Sequence, residues 1–186
     1  IFKLVILYNN DKITNLNILA RLNSTVTVDL NFEEDNNNIV PIKMDLKIIY
    51  EDEALLIIDK PAGIPVHPSI LHYTNSLSNG VKYYFDSINL KKKIRPVNRL
   101  DRNTSGIVIF AKNQYIQECL IHQMQTKEFK KTYLAVVEGH LKKLNGTIDA
   151  PITRKENSII ERCVAENGEK SITHYKVLKQ NFEKNY

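Results

Sequence analysis

The 186-residue chain contains no tryptophan, only two cysteines, and six each of glycine and proline. Cys119 and Cys163 stand far apart, with no second pair. A disulfide framework or a structural zinc site needs more cysteines at closer spacing, so neither is expected, and a reducing cytoplasm is the expected compartment. No run of about 18 apolar residues occurs, so no transmembrane helix is read. No basic start followed by an apolar stretch occurs, so no signal peptide is read. The phosphate-cradling P-loop, the dinucleotide glycine fingerprint and the zinc signature of base deaminases are all missing. The five histidines are scattered singly, and there is no internal repeat. The hydrophobic content of 42% suffices for a core, which implies one ordinary domain, or one domain with a small appendage. The chain starts at Ile1 and stops at Tyr186 straight after a charged stretch, and reads as a fragment at both ends.

Charge is plentiful but unevenly placed. The net charge is +5. Residues 28–59 carry nine acids against two lysines, whereas residues 82–143 carry thirteen lysines and arginines against five acids. A basic half suggests a polyanionic substrate, although a charged face is also an ordinary solvated surface.

The basic half holds the most informative stretch, RPVNRLDRNTSGIVIFAK at 95–112. It sets one carboxylate, Asp101, among Arg95, Arg99 and Arg102, then runs through Thr104, Ser105 and Gly106 into the apolar run 107–111. The local reading is a basic loop feeding a buried strand. An acid among cations stays ionised. Chemistry alone leaves it a nucleophile, a base or a salt-bridge partner.

In chain order, residues 1–30 read as a strand (4–8), an Asn-Asn-Asp turn, a helix through Leu16, Leu19 and Leu22, and an alternating strand (25–30). EEDNNN at 33–38 reads as a linker or exposed loop. A domain boundary is placed near residue 40, giving a leading segment 1–39 and a main domain 40–186. Residues 48–61 read as strand, turn, strand. Three prolines and a glycine within 60–68 dictate a stiff extended loop, where His67 is either an acid–base group or a hydrogen-bonded structural residue. A helix over 76–85 follows, capped by Asn75 or Ser76. Lys91, Lys92 and Lys93 either touch phosphates or only solvate a loop. Asn113 caps a second helix to about residue 125, with Ile116, Leu120 and Met124 inward, Cys119 beside them and His122 exposed. Residues 127–139 start basic and become a strand, with Tyr133 on one of its faces. Residues 146–151 make a turn and an extended piece. Asn167 and Gly168 mark a hairpin turn before a strand at 171–178.

Three of these stretches resemble one family in order and spacing. RLDxxTSG followed by an apolar strand and AK resembles the catalytic motif of the RluA-type (RluD-like) RNA pseudouridine synthases. YEDEALLIIDKPAGIPVHP and KEFKKTYLAVVEG resemble two further family motifs. The resemblance implies an α+β fold with a central, mostly antiparallel sheet flanked by helices and loops. It implies Asp101 as the catalytic residue and Arg99 as the side chain that fills the space left by a flipped base. It implies Tyr133 as the base-stacking tyrosine, with Arg102 and Thr104 as further substrate-binding candidates. It also places the loop 60–68 at the edge of the active-site cleft. The family usually reads HRLD, and here Asn98 stands in place of the histidine. Residues 1–30 weakly resemble the end of an S4 RNA-binding domain. The family's arginine-bearing strand, whose arginine pairs with the catalytic Asp, would lie beyond Tyr186, so the domain 40–186 reads as C-terminally incomplete.

The implied reaction converts uridine to pseudouridine, in ribosomal or transfer RNA, and needs no metal, nucleotide or redox cofactor. RNA is the expected partner, no membrane is expected, and the chain is expected to be a monomer. The rival class is a non-catalytic RNA-binding module.

Overall fold

The structure is a computed structural model and describes residues 5–15, 17–30, 32–126, 128–158 and 160–181. The chain divides into two compact units, Ile1–Lys130 and Lys131–Tyr186.

The first unit opens with three short strands, β1 (Val5–Tyr8), β2 (Asp11–Ile13) and β3 (Val26–Asp29), in the antiparallel order β2-β1-β3. Asn9 and Asn10 both adopt positive φ, +48° and +73°. That is the two-residue hairpin turn that asparagine tolerates, and it pairs Tyr8 with Asp11. The helix expected next is not formed. Leu16 lies outside the described residues, while Leu19 and Leu22 are almost wholly exposed. The Asn15 side chain accepts from the Asn17 N–H, and Asn23 takes a left-handed φ of +66°. Asparagines that bond the nearby backbone compete with helix formation.

The acidic stretch 33–38 is a loop, with Glu33, Asp35, Asn37 and Asn38 exposed, but Glu34 and Asn36 tie it to the rest of the unit. It lies along the basic stretch 91–95. Glu34 N donates to Lys91 O at 2.8 Å, Asn36 Nδ2 to Lys92 O at 2.6 Å, and Ile94 N to Asn36 Oδ1 at 3.1 Å. Charge complementarity selects this contact. Glu34 pairs with Arg95, and Glu33 with Lys91 at 3.2 Å. The three lysines are therefore engaged within the protein. Lys92 Nζ reaches Phe32 O at 2.7 Å and lies 5.5 Å from the centre of the Phe32 ring. Lys93 adds its backbone N–H and its charge to Glu34.

The core sheet follows: β4 (Ile48–Glu51), β5 (Leu55–Lys60), helix α1 (Leu77–Ser87), β6 (Arg95–Pro96), β7 (Gly106–Ala111) and helix α2 (Gln114–Gln125). Its antiparallel order is β4-β5-β7-β6. Period-2 alternation sends Leu56 and Ile58 of β5 inward beside Val108 and Phe110 of β7. Leu77, Val81 and Phe85 of α1 complete the core with Val66 and Ile94. Ser76 and Asn79 form a reciprocal capping box that starts α1,. Asn113 caps α2 by accepting from Ile116 N at 2.9 Å. The α2 stripe is only half-buried, at Ile116, Cys119, Leu120 and Met124.

The second unit contains β8 (Asn145–Asp149), β9 (Ile152–Arg154), β10 (Arg162–Val164) and β11 (Ile172–Lys176). β8 pairs antiparallel with β11, and β9 with β10. The strand expected around Tyr133 is absent. Residues 131–137 pair with no strand among the described residues, and all are exposed. A strand exists only where a neighbour takes its ladder hydrogen bonds, whatever its side-chain pattern.

Candidate active site

The site is built by the connection from β6 to β7. These strands pair Arg95 with Ala111 and Pro96 with Phe110. Val97 N then donates to Ile109 O at 2.8 Å. One residue on, the Asn98 side chain takes over the ladder. Its Oδ1 accepts from Ile109 N and its Nδ2 donates to Ile107 O, both at 2.9 Å. A carboxamide carries the donor and acceptor of a peptide group, so Asn98 ties the start of the loop to β7. Beyond it, Thr104 N donates to Asp101 O at 3.1 Å and closes a tight turn. The loop re-enters the sheet at Gly106, whose φ of +130° is open to glycine and strained for other residues,.

The far side of the loop is held by Lys60. The β5 alternation that buries Leu56 and Ile58 sends Lys60 inward too, and it has no exposed surface. In register it stands opposite Gly106. Its ammonium donates to three carbonyls: Pro61 O at 2.9 Å, Ile64 O at 2.8 Å and Arg102 O at 3.1 Å. The Arg102 carbonyl also accepts from Gly63 N at 2.8 Å. One buried cation thus joins the proline-rich loop to the Asp101 loop. Burial pushes the Lys60 pKa down, and the charge of Asp101 acts in the opposite direction. Lys60→Met should leave the Pro61 and Ile64 carbonyls without this donor and destabilise the fold by about 2 kcal/mol. Urea unfolding measures it, and an unchanged midpoint would show that Lys60 is not a brace. Sequence reading missed this residue, although the inward set 56, 58, 60 of LLIIDK carried the signal.

Asp101 lies exposed on this tethered loop. The expected cluster of three arginines around it is not formed. Arg95 is buried and committed to Glu34. Arg102 Nη1 lies 3.5 Å from His72 Nε2. Arg99 is exposed, and its charge acts on His67. Among the described residues, no ion pair or side-chain hydrogen bond engages the Asp101 carboxylate. The reason is geometric. Val97 and Asn98 continue the strand, so Arg95 is spent on the core side before the chain turns out to Asp101. Thr104 is half-buried beside the turn.

His67 sits on the loop after Val66. The protein around its ring, and then the Arg99 charge, push its pKa below the usual imidazole range. The structure therefore brings Lys60 and Thr104 to Asp101, whereas Arg99 acts on His67 and Arg102 lies against His72. Tyr133 belongs to the second unit, in the extended stretch 131–137, with 59% of its surface exposed. Among the described residues, no three His, Cys, Asp or Glu side chains converge as a metal site, and no helix is long and apolar enough to cross a membrane.

An antiparallel sheet carrying a loop braced by Asn98 and Lys60, with one exposed carboxylate on it, can present an acid to a substrate from solution. Residues 54–186 match the model of the family described as RNA pseudouridylate synthase, and the chain belongs to that family. Its curated relatives include the uncharacterized RNA pseudouridine synthase YhcT of Bacillus subtilis (strain 168), 36% identical over 173 residues, which cover 93% of this chain and 57% of the relative. Ribosomal large subunit pseudouridine synthase D of Pseudomonas aeruginosa is 36% identical over 137 residues, 74% of this chain and 42% of the relative. The chain spans about half the length of the curated relatives it matches. Among solved structures, human RNA pseudouridylate synthase domain containing 4 superposes with a TM-score of 0.58 at 20% identity, over 72% of this chain and 54% of that one. Domain containing 1 gives 0.55 at 23% identity, over 70% and 51%. The fold is that of the family, α+β with an antiparallel sheet flanked by helices and loops.

Proposed function

We propose that this chain carries the catalytic part of an RNA pseudouridine synthase, with Asp101 as the catalytic residue. The observation that supports this most is the solvent-exposed carboxylate on a loop braced on both sides. The reaction breaks the bond from uracil N1 to C1′ of the sugar, turns the base and rejoins it through C5. The C5 proton leaves to solvent, and N1, which carries no proton in uridine, takes one up, so atoms balance without a co-reactant. A carboxylate at the sugar–base junction serves this either by covalent attack or by removing a sugar proton.

The target must first leave its stack, at a cost of a few kcal/mol. Arg99, exposed on the loop, is the side chain that fills the vacated space in this reading. Arg102 and Thr104 line the approach, and Tyr133 supplies an aromatic face for the base. Large-subunit ribosomal RNA is the proposed substrate, on the strength of relatives bearing that name; transfer RNA is the alternative within the same chemistry. Residues 1–39 serve as a leading RNA-binding segment related to S4 domains, and residues 40–186 form the catalytic portion. The protein is proposed to act as a monomer in the cytoplasm.

The test is tritium release from RNA labelled at uridine C5, run on ribosomal and transfer RNA. Release is expected from ribosomal RNA. Binding of both RNAs without release from either would leave a non-catalytic RNA-binding module.

A further inference from the structure

Between Val66 and α1 the chain makes a turn over residues 69–72 that the proposed chemistry does not use. Ser69 and His72 exchange backbone hydrogen bonds, 3.0 Å for His72 N to Ser69 O and 3.4 Å for the reverse. The tip is Ile70 and Leu71, which are 99% and 88% exposed. Turn tips ordinarily carry glycine, asparagine, aspartate, proline or serine, each for a backbone reason. Two large aliphatic side chains held out in water serve no backbone need.

The turn is braced at both ends. Before it, Val66 is buried and its carbonyl accepts from Ser78 Oγ at 2.7 Å. After it, the Tyr73 carbonyl accepts from Asn79 Nδ2 at 3.1 Å. It also stands beside the Asp101 loop, since His72 Nε2 lies 3.5 Å from Arg102 Nη1. Behind it opens a groove of about 780 Å³, with His67, Ser69, Tyr73, Asn38, Lys93 and Gln117 among its walls. That volume falls in the ~300–1,000 Å³ range of small-ligand sites. Tyr73, 57% exposed, offers it an aromatic face.

We propose that Ile70 and Leu71 form an apolar wedge that enters the RNA stack next to the uridine presented to Asp101, and that the groove behind receives the adjoining nucleotide. The proposal rests on the RNA-directed reading above. Apolar side chains inserted at a base step unstack it, which is the act a base-flipping enzyme requires. Two residues are too small a patch for a protein interface, which buries about 800 Å² on each partner. The exposed arginines at 99 and 102 on the neighbouring loop suit a phosphate backbone,.

The experiment uses hairpin RNAs from large-subunit ribosomal RNA, with 2-aminopurine next to a loop uridine. Binding is measured in the full chain carrying Asp101→Asn, with and without Ile70→Ser and Leu71→Ser together. The wedge should raise 2-aminopurine fluorescence, and the double substitution should abolish most of the rise and weaken binding about tenfold. Its melting temperature should not move, because both side chains are exposed. Exchanging the two residues (Ile70→Leu with Leu71→Ile) should retain the rise. Unchanged fluorescence and affinity in the serine variant would overturn the proposal. So would a double substitution that abolishes binding to phosphatidylglycerol vesicles and leaves RNA binding intact, which would make the tip a lipid contact. A fluorescence rise with no tritium release from the unsubstituted chain would sink the isomerase reading and keep the wedge. Full tritium release by the serine variant would sink the wedge and keep the isomerase.

Discussion

Asp101→Asn is expected to reduce tritium release from C5-labelled RNA at least roughly 10⁴-fold, the upper range for a positioned acid or base. RNA affinity should stay within about threefold, because one exposed carboxylate facing a polyanion adds nothing to its binding. Stability should change by no more than about 0.5 kcal/mol, as expected at an exposed position without an ion pair. The three readouts together make the test sharp. A structural aspartate would lose stability along with activity, and a binding residue would lose affinity along with activity. Only a residue that meets the reacting atoms loses turnover alone. A variant that keeps releasing tritium would remove Asp101 from the chemistry altogether.

The second large effect lies away from the substrate. Arg95→Ala should destabilise the fold by roughly 3–5 kcal/mol, since it leaves a buried carboxylate without its partner. The side chains of Arg95 and Glu34 are 8% and 5% exposed, and they join through two hydrogen bonds. Burial pushes the Glu34 pKa up, but it is outweighed by the hydrogen bond and charge of Arg95 and by the N–H and charge of Lys93, so the net direction is down.

The sign of the pH dependence follows. The contribution of Glu34 is fully present above the unfolded glutamate pKa, about 4.3, and is lost as pH falls through the lower folded value. In Arg95→Ala the burial is opposed more weakly, and protonation then relieves the strain instead of adding to it. The stability gap between the two proteins should therefore narrow as pH falls, beginning above the unfolded glutamate pKa of about 4.3 and continuing below it. Urea unfolding at several pH values reads this directly. A gap independent of pH would mean that Glu34 and Arg95 are not coupled in solution.

Much of the core was legible because short-range pattern governs it. Alternation in LLIIDK and GIVIFA yields two inward strand faces, and the 3.6-residue stripe at Leu77, Val81 and Phe85 yields a helix face. The cap at Asn113 follows from local chemistry. Where the reading failed, the deciding partner was distant in sequence. The acidic stretch 33–38 has loop composition, yet it finds its complement some 58 residues on, at Lys91 to Arg95. Residues 131–137 alternate like a strand but meet no neighbouring strand among the described residues. The expected helix near Leu19 was undone by asparagines that a periodicity count does not weigh.

The candidate site divides in the same way. The motif itself singled out Asp101, Arg99 and the glycine re-entry at Gly106, because a turn between two strands is written in consecutive residues. Sequence proximity suggested that three arginines surround the acid. Tertiary structure decided otherwise, since strand direction alternates side chains between faces and Arg95 is drawn inward to Glu34. Only the folded chain shows that Lys60, forty-one positions before the acid, anchors its loop, because antiparallel register sets the end of β5 against the start of β7. Local pattern determined which groups this protein carries, whereas long-range pairing decided that Arg95 turns inward to Glu34 and that the Asp101 carboxylate stays exposed on its loop.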